Sequence, residues 1–305
     1  MKNTQTNTRR KGIDKDLIFY CIVLIYPLLQ CAFFFIGVNF NSIILAFQRY
    51  DALNAVYLPY GFGNFQRVWT ELVSSSILID ALLNSILVWF CGTAIGTTLS
   101  VLFSYYIFKK YPGANAFKFI LFLPSILPSI LLVIMFKVFV NEAIPQVIET
   151  LTGTLINPPL MDVNSRFGLV VFYGVWLGFG AQILLYVGSM SQIEPSVLEA
   201  AKLDGARPMR ELWSVVIPDI LPSVNTFIIS GIAGLFVNQA NVHAFFDGRD
   251  VATTDLTIGY YLFDLAGIKG AAEYPYASAL GICCSLIAFP ITFLLRWVLN
   301  KLEDF

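Results

Sequence analysis

Charge is what this chain has least of. Asp, Glu, Lys and Arg make up only 13% of its 305 residues, against 57% hydrophobic, and soluble domains carry about twice that charged share. The composition excludes an ordinary soluble protein and points to one that lives in a lipid bilayer; no nucleic-acid partner is expected of it. Histidine is nearly absent, with His243 alone, so neither a His-rich metal centre nor a Ser-His-Asp triad has material to draw on. The five cysteines, Cys21, Cys31, Cys91, Cys283 and Cys284, all fall in apolar runs, and none forms a CxxC pair. No disulfide or metal site is expected. No GxxxxGK[ST] occurs, and the nearest spacing, "GTAIGTT" from Gly92 to Thr98, lacks the lysine that would reach a phosphate. Gly92 and Gly96 read instead as a small-xxx-small pair for close helix packing.

What is present is a set of long runs free of Asp, Glu, Lys and Arg: Leu17 to Gln48, Ala81 to Phe108, Phe119 to Phe136, Phe167 to Ile193, Ile220 to Phe246 and Tyr274 to Leu295. About 20 apolar residues cross the hydrocarbon as a helix. The expectation is an all-α membrane protein with six spans, near 17–38, 82–108, 119–140, 167–191, 220–242 and 274–298. Residues 1–16 and 300–305 flank this 17–299 domain as cytoplasmic segments. The first run is too long for a signal-peptide core and lacks a small-x-small cleavage site, so it reads as a retained helix. Residues 52–66, with Pro59, Gly61 and Gly63, read as an outer loop.

Orientation follows from the basic residues, which are retained on the cytoplasmic side. With the N-terminus inside, 13 of the 19 Lys and Arg lie on inner segments and 6 on outer ones. Both termini and the 194–218 loop are then cytoplasmic.

Because these runs contain no Asp or Glu, acid-base catalysis and proton relay within the membrane are disfavoured. Their polar residues are neutral: Asn84, Ser85, Ser125, Ser129, Gln182, Tyr186, Asn225, Asn238, Gln239 and Asn241. Such groups either face a neutral, hydroxyl-rich solute or bond helix to helix. Pro124 and Pro128 in "FLPSILPSI" free carbonyls, which either line a cavity or serve packing. Ile144, Val147, Ile148 and Leu151 share one helical face, suited to the membrane, a partner subunit or an external protein.

The loop "EPSVLEAAKLDGARPMRELWSVVIP" places seven charged residues between two long apolar runs. Pro195 suits a first turn, Ser196 to Asp204 contains good helix formers, and Gly205 can take the left-handed conformation that ends a helix. Pro208 restarts a second helix, and Pro218 marks the return to the membrane. Ala200 and Ala201 leave a low surface, while Glu199, Lys202, Asp204, Arg207 and Arg210 present both signs of charge. That surface suits docking into a groove on another protein.

Glu199-Ala200-Ala201, three residues, Gly205, nine residues, Val215, one residue, Ile217-Pro218 resembles the EAA-x3-G-x9-I-x-LP motif. That motif marks permease subunits of binding-protein-dependent ABC importers; Val215 and Ile217 depart conservatively from it. "NSIILAFQRYD", "GFGNFQRVW", "NPPLMD" and "FFDGRDVATTDLTIGYYLFDLA" followed by "YPYASALG" resemble the outer loops and last span of the carbohydrate-uptake branch, typified by maltose, glycerol-3-phosphate and oligosaccharide permeases. Gly248-Arg249-Asp250 stands where that branch carries Gly-Gly-Pro.

The resemblance implies the type I ABC importer permease fold and alternating access, with no catalytic residue or cofactor on this chain. ATP is then bound by separate ATPase subunits. The other implied partners are a second permease, commonly a distinct sister, an extracellular or periplasmic solute-binding protein, and a carbohydrate, in a bacterial plasma membrane. Coupling to the ATPase falls to Glu199, Ala200, Ala201, Asp204, Gly205, Arg207 and Pro218. Asn238 stands where maltose-type permeases carry a sugar-contacting Asn, and Gly231, Gly234 and Leu235 would share its helical face at i, i+3, i+4 and i+7. Importers of other polar solutes remain open, as does a channel or secondary transporter, which would require intramembrane charge or an inverted repeat.

Overall fold

A computed structural model describes residues 15–248 and 251–303. Six helices are long and apolar enough to cross a membrane: α1 (Phe19–Ala46), α3 (Ser76–Phe108), α5 (Ser129–Thr152), α6 (Arg166–Met190), α8 (Pro208–Ala233) and α11 (Tyr274–Lys301). Between α1 and α3 lie a hairpin of β1 (Gln48–Asp51) and β2 (Val56–Pro59), then α2 (Gly63–Ser74). The strands are antiparallel, with Gln48 opposite Pro59 and Asp51 opposite Val56. Buried Asn64 ties this unit to the membrane helix, its Nδ2 donating to the carbonyls of Ala46 at 2.9 Å and Gln48 at 2.7 Å. The expected outer loop at 52–66 is therefore folded against the end of α1. Most of residues 1–16, the last two residues of 300–305 and the Arg249-Asp250 pair lie outside the described residues.

Four of the expected spans need correction, beginning with the first, which runs on to Ala46 and not 38, and the second, which starts at Ser76 and not 82. The third span is two helices, α4 (Ala114–Ile126) and α5. Leu127, at φ −82° and ψ 147°, is extended, because the ring of Pro128 clashes with a helical conformation at the residue before it. Pro124, by contrast, is carried inside α4. Beyond 140, α5 runs on to Thr152, so the amphipathic face of Ile144, Val147, Ile148 and Leu151 is its last turns and not a separate helix.

The fifth span begins twelve residues earlier than expected, at Pro208, so the loop's second helix and the span are one rod. Pro218 does not interrupt it. A widened turn at Leu212–Val216, closed by the Ile217 N–H bonding back to the Leu212 carbonyl, precedes the proline and accommodates its ring. The rod then ends at Ala233, not 242. Gly231 and Gly234 sit at that end, and each disfavours helix by about 1 kcal/mol relative to Ala.

The segment expected as the last outer loop is partly buried. After the short α9 (Val242–Phe245), residues 255–261 are buried, so the start of α10 (Ile258–Ile268) packs inside the protein while its end, from Ala266, is exposed. Its Ile258 N–H donates 2.8 Å to the hydroxyl of buried Ser85 on α3, and Asn84 Nδ2 donates to the carbonyls of Thr254 and Leu256 at 2.7 and 3.0 Å. A buried ion pair, Arg166 Nε to Asp255 Oδ2, pins the same segment to the start of α6. Burial pushes the Asp255 carboxyl above the ordinary carboxylate range, against the pull of Arg166.

Candidate functional site: a cavity and an exposed loop

The helices α3, α6 and α8, with the turn beyond α8, line an open cavity of about 460 Å³. From α3 come Ser85, Val88, Trp89, Gly92, Thr93, Gly96 and Thr97, a helical stripe spaced three and four residues apart. Gly174, Gly178 and Gln182 of α6 and Phe227, Ser230 and Gly231 of α8 complete the walls. None of the lining residues is charged. Buried Nε1 of Trp89 has no hydrogen-bond partner among the described residues, whereas Gln182 already accepts from the Ser100 hydroxyl at 3.0 Å.

Gly231, Gly234, Leu235 and Asn238 all reach this cavity, but not as one helical face. Only Gly231 is on the helix; Asn238 lies in the turn beyond Ala233, where its N–H bonds the Gly234 carbonyl at 3.0 Å. Two contacts hold that turn in place. The Thr257 hydroxyl donates 2.9 Å to the Asn238 carbonyl, and Gly259 approaches so closely that a Cβ there would lie 2.6 Å from backbone atoms of Val237 and Asn238. The side chain is also partly committed, since Asn238 Oδ1 accepts from the Ala240 N–H at 2.9 Å. What remains for a ligand is the Nδ2 donor.

Gly92 and Gly96 have a different role from the close packing expected of them. A Cβ at either would meet nothing within 4 Å, and both line the cavity, so their smallness widens it. The neutral-polar list from the sequence includes Ser85, Gln182 and Asn238 but misses Trp89, Thr93, Thr97 and Ser230. The signal that could have found the three on α3 is the repeat of small and polar residues along that helix; Ser230, on α8, has no such signal.

The second candidate surface is the loop. Its first helix, α7 (Pro195–Leu203), ends in two nested bonds: Gly205 N–H to Lys202 C=O and Ala206 N–H to Ala201 C=O, each 3.0 Å. This is the terminus that a left-handed glycine permits, and Gly205 has φ +73°. Glu199, Ala200, Asp204, Gly205, Arg207 and Pro218 are exposed, and Ala201 is half-buried. Among the described residues, Glu199, Lys202, Asp204, Arg207 and Arg210 make no ion pair with one another or with the bundle. Underneath, Leu198 packs on a buried apolar cluster of Val101, Tyr186, Met190, Leu212, Val216 and Ile220. The loop thus offers bare charge outward and is seated inward on α3, α6 and α8.

Residues 92–304 match the sequence profile of the binding-protein-dependent transport system inner membrane components. The chain belongs to that family. It is a multi-pass membrane component with the type I ABC importer permease fold. This family member is 24% identical over 272 residues to a multiple sugar-binding transport system permease of Streptococcus mutans, covering 87% of this chain and 89% of the relative. It is 25% identical over 279 residues to a galactooligosaccharides transport system permease of Bacillus subtilis, covering 87% and 65%. A maltose/maltodextrin permease of Salmonella typhimurium is 24% identical over 242 residues, 74% of this chain but 46% of the relative, so the chain spans less than half of that protein's length. A crystal structure of a bacterial ABC transporter involved in import of the acidic polysaccharide alginate superposes with TM-score 0.74 at 19% identity, covering 94% and 96%. The same transporter with an alginate pentasaccharide-bound periplasmic protein gives 0.75 at 18% identity, covering 95% and 96%.

Proposed function

We propose that this chain is the membrane-spanning subunit of an ATP-driven importer that moves a carbohydrate by alternating access. The observation that carries the reading is the cavity: uncharged, walled by Trp89, Phe227, Thr93, Ser230 and Asn238, and bounded by the helix that continues into the exposed loop. Hydroxyl-rich solutes need neutral donors and acceptors together with aromatic faces, and a site without charge imposes no ionic desolvation on them. The sugar-permease names of its relatives support the same class.

On this reading the chain performs no bond chemistry and holds no cofactor or metal. ATP is bound by separate ATPase subunits that grip α7 through Glu199, Ala200, Ala201, Asp204, Gly205 and Arg207, with Pro218 in the rod behind. A second permease, a non-identical sister, completes the pathway, and a solute-binding protein delivers the sugar on the far side. The setting is a bacterial plasma membrane, with both termini and the α7 loop cytoplasmic.

The test is purification from membranes followed by reconstitution with the co-purifying subunits. A stoichiometric ATPase, and ATP-dependent uptake of labelled oligosaccharide that rises with loaded binding protein, are expected. ATP-dependent uptake of a non-carbohydrate polar solute alone would shift the substrate class. Uptake without ATP and without an ATPase partner would indicate a channel or secondary transporter.

A further inference from the structure

Apart from the cavity lining and the residues assigned to docking, the protein buries a charged cluster that neither site uses. Glu211, on the first turn of α8, has a side chain only 3% exposed, and Lys109, just past the end of α3, is 17% exposed; Lys109 Nζ lies 2.7 Å from Glu211 Oε1. Tyr105, one turn earlier on α3, donates its hydroxyl toward the same Oε1 at 3.2 Å and toward the Pro208 carbonyl at 3.0 Å. The Lys109 ammonium also sits 5.9 Å from the Tyr105 ring centre. Three side chains therefore fasten the end of one long helix to the start of another.

Those two helices are the ones that matter for transport. From Glu211, α8 rises roughly 28 Å, at about 1.5 Å per residue, to Ser230 in the cavity wall. From Lys109, α3 runs back roughly 18 Å, on the same rise, to Thr97 in the opposite wall. Pro208, whose carbonyl the cluster grips, is three residues beyond Gly205 and the α7 turn. The cluster stands where the loop, α3 and α8 meet.

A charged pair is a costly way to hold two helices. Desolvating both ions offsets much of their attraction, and apolar side chains of equal volume hold packed surfaces as well. What the ion pair adds is a single register, since only one alignment of α3 and α8 satisfies both charges and the hydroxyl. Coupling between distant sites travels through rigid elements joined at defined contacts.

We propose that Lys109, Glu211 and Tyr105 form a clasp that makes α3 and α8 move as one body, so that displacement of α7 reaches both walls of the cavity together. They are positioning residues for transport and touch neither solute nor ATPase. The proposal rests on the importer reading above.

The experiment compares reconstituted complexes containing Lys109→Met, Glu211→Gln, Tyr105→Phe and the charge swap Lys109→Glu with Glu211→Lys. Uptake and ATP hydrolysis are measured on the same vesicles, normalised to assembled complex. Glu211→Gln and Lys109→Met should still hydrolyse ATP but carry about tenfold less solute per ATP, in the usual range of coupling between sites. The swap should raise that ratio again, because it restores attraction without restoring the original residues. A wild-type ratio in the assembled single variants, or a loss of uptake that follows protein amount alone, overturns the clasp. Should the charge variants fail to assemble, Tyr105→Phe decides: it keeps both charges and must still lower the ratio, and an unchanged ratio refutes the proposal. Wild-type vesicles with no ATP-dependent uptake would instead refute the importer reading, and the clasp with it.

Discussion

The backbone carbonyl of Asn238 accepts a hydrogen bond from the Thr257 hydroxyl, 2.9 Å away and nineteen residues on in sequence. The contact joins the turn beyond α8 to the start of α10, and so places the Asn238 amide at the cavity. Because Asn238 Oδ1 is occupied by the Ala240 N–H, the position can be dissected chemically. Asn238→Asp keeps an acceptor for Ala240, removes the free Nδ2 donor and adds a carboxylate to an otherwise uncharged wall. It should assemble to normal levels yet raise the apparent KM for solute uptake about 5- to 150-fold, as expected for about 1 to 3 kcal/mol from one unpaired polar group. Asn238→Ala loses both bonds and should reduce uptake and assembled protein together. Uptake kinetics of Asn238→Asp equal to wild type would remove Asn238 from the site.

Gly259→Ala tests the support behind that turn. The new Cβ would meet backbone atoms of Val237 and Asn238 at 2.6 Å, and backbone cannot swing aside as a side chain can. A cost of about 1 to 3 kcal/mol from overpacking is expected, seen as a lower melting temperature of the detergent-purified chain. Wild-type thermal stability would show that the turn is free to move.

At the loop, Gly205 and Glu199 separate conformation from charge. Gly205→Val faces no neighbouring atom within 4 Å but must hold φ +73°; for a β-branched residue that strain is about 1 to 3 kcal/mol. Gly205→Asn, which tolerates the left-handed region, should be far milder. Glu199→Lys leaves the backbone alone and reverses an exposed, unpaired charge, so membrane insertion should be normal while co-purification of the ATPase falls. Full ATPase recovery and uptake by Gly205→Val and Glu199→Lys would exclude the loop as the docking surface.

The side of the membrane is tested by Ser196, exposed at the start of α7. A single Ser196→Cys, in a background with the five native cysteines replaced, should resist an impermeant thiol reagent in intact cells and react in inverted vesicles. Labelling in intact cells would reverse the orientation argued from the basic residues.

What the sequence determined by itself was local. Six apolar runs specify six membrane helices because backbone polar groups in hydrocarbon must be satisfied within each segment. Pro195, Gly205 and Pro208 specify a helix, a left-handed stop and a second start, because each acts through its own φ or missing N–H. Pro128 likewise carries the break of the third span, because its ring disfavours a helical Leu127. Other features depend on residues far apart in the chain, and only the tertiary structure decided them. Lys109 finds Glu211 across 102 positions, Ser85 finds Ile258 across 173, and Thr257 meets Asn238 only because α8 stops at Ala233. Periodicity carried Asn238 onto a helix that ends five residues earlier, and no local signal marked the buried start of α10, which packs against α3. Helical spacing reports which residues share a face, but the point where a face ends is fixed by what packs against it.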